Sequence, residues 1–167
     1  NVVAVRKAEL DPEGWIYGEE AIVLEGTVGG WDEYITSASL VKGQFSYQGT
    51  EYAWLLVYAG TNDAGEMCNQ IGFAVSNDPL QSFVKVGDAP IITYDVTIYN
   101  KFFGCYAPSA VNYNKVSGIR VFYTYADAYG NFVRFYDFDC SNLDNIQAVS
   151  CAYTYHVTNK GNLQGGE

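Results

Sequence analysis

Apolar and aromatic residues fall along the chain in short runs bounded by Gly, Asn, Asp and Pro, a spacing that suits strands and turns rather than amphipathic helices. The pattern predicts strands over 2–8, 21–25, 37–47, 52–59, 68–76, 83–86, 90–93, 107–113, 118–126, 131–139 and 146–155, with no helix longer than a turn. TNDAG at 61–65 and DAYG at 127–130 supply the Gly, Asn and Asp that tight hairpin reversals require. The fold class is therefore all-β.

One run does not alternate. Trp54, Leu55, Leu56, Val57 and Tyr58 are consecutive apolar positions, as expected of a strand buried on both faces. Its surroundings recur downstream. SASLV at 37–41 is echoed by APSAV at 107–111, WLLVYAG at 54–60 by IRVFYTYAD at 119–127, and QIGFAVS at 70–76 by VRFYDFD at 133–139. A small-residue strand, an aromatic-rich strand, a third apolar strand and a less regular fourth make a unit like a β-propeller blade. On this reading the chain is a single domain over 1–167, with blade-like repeats at about 37–93 and 107–155 and residues 1–36 as strands of a preceding blade. Small Ser37, Ala38, Ser39, Ala107, Ser109 and Ala110 suit first strands that crowd a central axis. A two-sheet β-sandwich is the alternative architecture.

Charge narrows the partners. With 19 Asp and Glu against 9 Lys and Arg, a net charge of −10 disfavours nucleic acid and anionic membrane surfaces. No apolar stretch approaches the ~20 residues needed to span a bilayer. Four cysteines without a CxxC pair, in a chain rich in Tyr, Gly and Asn, point to an extracellular or secreted setting.

The segment LLVYAGTND…IGFAVSNDPLQSFVKVGDAPII over 55–92, followed by APSAV…RVFYTY over 107–125, resembles the five-bladed β-propeller glycosidases related to glycoside hydrolase family 43. The likeness spans about 31–144 and rests on structural phrases. It implies a carbohydrate-active protein, with an oligo- or polysaccharide of plant or host origin as partner. It also implies a partial ring, since two clear blades and some flanking strands fall short of five, so another chain or a missing segment would complete the propeller. Where the family phrase often reads Ala-Pro-Asp, this chain has Ala107, Pro108 and Ser109, and no Glu begins either first strand, so no catalytic acid is carried over. Two functions stay open, a glycoside hydrolase or a fragment of one, and a non-catalytic carbohydrate-binding or assembly module.

In a propeller the loops entering first strands and those joining second to third strands share one face, here 26–36, 60–67, 94–106 and 125–131. Their rings Trp31, Tyr34, Tyr99, Phe103, Tyr106, Tyr125 and Tyr129 are candidates to stack on sugar C–H faces. Hydrolysis needs two carboxylates about 5.5 Å apart for retention or about 6.5–9.5 Å for inversion. Asp32, Glu33, Asp95 and Asp127 are the candidates, with Asp32 and Glu33 beside Trp31, where desolvation would raise a carboxyl pKa. Blade geometry pairs Cys68 with Cys105 and Cys140 with Cys151 as disulfides. No cofactor is implied by the residues themselves. A lone His156 makes a zinc site improbable, and no P-loop, GxSxG elbow or EF-hand loop is present. Calcium follows from the resemblance only.

Overall fold

A computed structural model describes residues 1–95, 102–150 and 154–156. The protein is all-β, and the described residues hold a single 3-10 turn, Leu143–Asn145, as their one helical element. Its strands are β1 (Val2–Asp11), β2 (Gly14–Glu25), β3 (Tyr34–Tyr47), β4 (Thr50–Thr61), β5 (Gln70–Ser76), β6 (Val84–Lys85), β7 (Gly104–Asn112), β8 (Gly118–Asp127), β9 (Gly130–Asp139), β10 (Gln147–Ser150) and β11 (Thr154–His156).

They form three antiparallel sheets: the hairpin β1-β2, a sheet ordered β3-β4-β5-β6, and a sheet ordered β7-β8-β9-β10 in which β11 also pairs with β9. Each larger sheet is a meander, as short polar turns dictate. Gln48 and Gly49 both adopt positive φ, 50° and 72°, which gives the β3–β4 reversal the left-handed pair that a two-residue hairpin needs. Asp127 closes the β8–β9 turn by accepting from the Tyr129 N–H at 2.8 Å.

The β3-β6 sheet lies between two apolar layers. Leu55, Val57 and Ala59 of β4 join Ile71, Phe73, Val75, Ile119, Val121, Tyr123 and Phe138 in one cluster, while Leu56 and Tyr58 join Val23, Leu24, Ala74 and Phe83 in the other. Strict alternation across β4 thus explains its unbroken apolar run: both faces are covered, and each such side chain contributes about 1.5–3 kcal/mol of burial. The β1-β2 register skips Val23, and the bulge turns both Val23 and Leu24 inward.

Small first strands allow the two meanders to meet along β3 and β7. The Ser37 hydroxyl accepts from the Ala107 N–H at 3.1 Å and the Ser39 hydroxyl from the Ala110 N–H at 3.0 Å. Asn112 donates to the Lys42 carbonyl at 2.9 Å. Bulkier residues at Ser37 and Ser39 would hold the two backbones apart.

Several local expectations change. Residues 14–20 lie within β2, because their cross-strand pairing with β1, Leu10 opposite Trp15 and Ala8 opposite Tyr17, continues past the Gly and Glu residues that break the apolar pattern. The 90–93 run is not a strand; it is tied to β5 where Ile92 bridges Ile71 and the Ile91 N–H donates to the Ile71 carbonyl at 2.7 Å. The expected Cys68–Cys105 disulfide is absent: both are thiols, as is Cys140. Backbone pairing explains the separation. Asn69 lies between them and accepts from the Cys105 N–H at 2.8 Å, while the Cys105 thiol is turned inward to the Thr93 carbonyl at 3.7 Å. Cys151, the expected partner of Cys140, lies outside the described residues. Among the described residues no helix is long and apolar enough to cross a membrane.

Candidate functional site

The loops 26–36, 60–67, 94–106 and 125–131 all contribute to one open cleft of about 530 Å³ where the ends of β3, β7 and β8 meet. Thr36, Ser37, Glu66, Met67, Phe102, Phe103, Tyr106, Asp127 and Asn131 line it, with Asn69 beneath.

Asn69 is the knot that gathers these loops. It is 1% exposed and its side chain uses both ends: Oδ1 accepts from the Thr36 hydroxyl at 2.7 Å, and Nδ2 donates to the Glu66 carbonyl at 2.6 Å and the Phe103 carbonyl at 2.9 Å. Its backbone N–H donates to the Phe103 carbonyl at 2.8 Å. Gly104 makes this approach possible. Its φ is 74°, and a Cβ there would stand 2.6 Å from the Asn69 carbonyl oxygen and 2.9 Å from the Asn69 nitrogen.

Above this floor, Phe103 and Tyr106 present tilted rings 5.3 Å apart, and Phe103 remains 45% exposed. Burial raises the Tyr106 hydroxyl pKa, so it stays a neutral donor and acceptor. Glu66 and Asp127 bring carboxylates to the rim, and Asn131 an amide. Rings, acceptors and an amide around an open trough can hold a polar, hydroxyl-rich molecule with a weakly apolar face.

The other expected site residues lie elsewhere. Asp32 is buried in a separate cleft, where Lys85 Nζ donates to its Oδ2 at 2.6 Å, the Tyr58 hydroxyl donates to the same oxygen at 2.9 Å and the Thr27 N–H donates to Oδ1 at 3.3 Å. Burial pushes this carboxyl up, but the Lys85, Tyr58 and Thr27 donors outweigh it and hold the pKa below the usual carboxylate range. Asp32 is therefore an ionised structural anchor, the reverse of the raised pKa expected from its sequence setting. Trp31 stacks on Tyr58 with centroids 5.7 Å apart and packs over Gly72, where a Cβ would meet its ring at 2.8 Å.

Glu33 accepts from the Gly29 N–H at 3.2 Å in an exposed loop, and Tyr34 begins β3 opposite Thr61. Tyr129 is 76% exposed at a hairpin tip. Tyr125 and Asp95 line a third groove with Tyr123 and Arg134. Tyr99 lies outside the described residues. The cleft thus collects Phe103, Tyr106 and Asp127 from the expected set, and it adds Thr36, Ser37 and Asn69. A polar residue at 69 between Cys68 and the apolar strand that follows was the available signal for the last of these.

Among the described residues no group of three or more His, Cys, Asp and Glu side chains converges on a metal position, so the calcium implied by resemblance finds no such ligand set there. No protein-family model matches the chain, and a search of curated proteins returns no relative.

Proposed function

We propose that the chain is a non-catalytic carbohydrate-binding module that takes a neutral oligo- or polysaccharide segment in the cleft over Asn69. The observation that carries this reading is the pairing of Phe103 and Tyr106, 5.3 Å apart, with Glu66, Asp127 and Asn131 on the same trough. Rings offer stacking area at low entropic cost, while carboxylate and amide oxygens accept from sugar hydroxyls. Binding is favoured over hydrolysis because only Asp127 of the four expected carboxylates lines the cleft, and Asp32 is committed to Lys85. The hydrolase reading survives in one form, with Glu66 and Asp127 as the pair.

Within this proposal the two meanders are blades of an incomplete propeller resembling the family 43 glycosidases, completed by another chain or a further segment. Their strand order and the contact of their small first strands support it. The extracellular setting rests on composition alone.

Calorimetric titration with a panel of neutral plant and host oligosaccharides, paired with assays for released reducing ends, tests the reading. Saturable binding without turnover is expected. Turnover that vanishes in Glu66→Gln or Asp127→Asn would replace the module with an enzyme, and absence of any binding across the panel would end both.

A further inference from the structure

Strand parity places an arginine where the pattern calls for an apolar residue. On the core-facing side of the second meander, β8 presents Tyr123 and Tyr125 opposite Arg134 and Phe132 of β9, with Tyr136 next along the strand. The Arg134 guanidinium carbon sits 3.5 Å from the Tyr125 ring centroid and 5.8 Å from that of Phe132. Aromatic faces offset part of the cost of a half-buried cation, and the Tyr125 hydroxyl is the neutral acceptor beside it. Arg134 Nε is sealed from solvent without a hydrogen-bond partner, and the ion pairs among the described residues engage Arg6, Lys7, Lys85 and Arg120, not Arg134. In a chain of net charge −10, a half-buried cation outside the ion pairs of the described residues is conspicuous.

The same arginine borders a groove of about 650 Å³, enclosed by the 90–95 segment on one side and Tyr123, Tyr125, Tyr136 and Ile146 on the other. We propose that this groove binds an acidic sugar, a uronic acid residue, whose carboxylate is recognised by Arg134. A planar guanidinium matches a carboxylate and gains most where water is partly excluded. The tyrosine rings suit a pyranose C–H face. This groove is separate from the cleft over Asn69, and its occupancy does not depend on a ligand there.

Titration of the whole chain with a trisaccharide containing a single uronic acid residue, and with its methyl ester, tests the assignment. The acid is expected to bind about tenfold or more tighter than the ester, since a charge-assisted hydrogen bond is lost on esterification. Arg134→Gln should abolish that preference while leaving binding of neutral sugars in the cleft unchanged. Arg134→Lys, which keeps charge without the planar fork, should retain part of it. Equal affinity for acid and ester, no binding of either, or a preference that persists in Arg134→Gln would overturn the proposal. The acid-against-ester comparison on the unaltered chain decides the matter even where a variant does not fold.

Discussion

The Thr36 hydroxyl donates to Asn69 Oδ1 at 2.7 Å, joining the start of the first meander to the residue that also holds Glu66 and the 102–103 segment. Removing the Asn69 amide leaves a hydroxyl and a carbonyl without their buried partner, and each orphan costs about 1–3 kcal/mol. Asn69→Ala should therefore lose about 2–4 kcal/mol in urea unfolding, with the midpoint lowered and the slope unchanged. A loss under about 0.5 kcal/mol, the range of ordinary surface changes, would mean the knot is not what gathers the loops.

Gly104→Ala probes the same junction through the backbone. A methyl group 2.6 Å from the Asn69 carbonyl oxygen cannot be accommodated by rotating a side chain, and the residue sits at φ 74°. The expected cost is about 2–4 kcal/mol, with faster amide exchange at Cys68, Asn69 and Cys105, whose N–H groups cross the junction. Wild-type exchange rates in that variant would show that the junction can shift without opening.

Much of this architecture was legible because it follows from parity and residue size. The run from Trp54 to Tyr58 announces two covered faces, and Ser37, Ser39 and Ala110 announce a close approach; the two cores and the β3–β7 contact answer to those signals. The gathering of four loops at one cleft was likewise readable from strand order. Which side chains point into the cleft was not. Asp32 and Phe103 both sit in loops near rings, and only the three-dimensional position of Lys85, 53 residues downstream in sequence, turns the first into an anchor. The disulfide expectation failed for a similar reason: proximity of strand ends is legible, but the inward turn of the Cys105 thiol depends on its register with Asn69.

Asp32 should give the stability profile a specific acid limb. Its pKa is lowered in the folded protein, so its contribution is fully present above the unfolded carboxyl value of about 3.9 and is lost as pH falls through the lower folded value. Asp32→Asn should be less stable at pH 7, and the gap to the unaltered chain should close as pH falls below about 4. Lys85→Met, which leaves the carboxylate buried without its cation, should cost about 2–4 kcal/mol at pH 7 and recover on acidification. Thermal melts between pH 2 and pH 7 measure both, taken as approximate bounds of the acid limb. A pH-independent gap would assign the effect of Asp32 to packing alone.

Burial pushes the Cys105 thiol up to about 12 and raises that of Cys140, so neither forms appreciable thiolate near neutrality. In the folded protein both should resist iodoacetamide at pH 8, and both should react fully in denaturant. Peptide mass mapping reads this directly. Rapid labelling of Cys105 in the native state would show that the junction beside Asn69 opens, while a mass two hydrogen atoms lower for a peptide joining Cys68 to Cys105 would contradict the observed thiols.

The cleft itself is tested by separating its rings from its acids. If the glycan stacks on Phe103 and Tyr106, then Phe103→Ala and Tyr106→Ala should each weaken binding about tenfold, in line with the roughly 1–3 kcal/mol that truncation of a stacking ring costs. Tyr106→Phe, which keeps the ring and removes the hydroxyl, should lie between the unaltered chain and Tyr106→Ala. Phe103 is 45% exposed, so the melting temperature should fall little in Phe103→Ala, whereas Tyr106 packs against the core and its affinity loss is read on the folded fraction. Glu66→Gln and Asp127→Asn keep acceptor oxygens and should reduce affinity only a few-fold. The ordering matters more than the size of any one loss: acids that dominate over rings would point to a charged ligand or to catalysis, and rings that dominate over acids belong to a neutral sugar held by its apolar face.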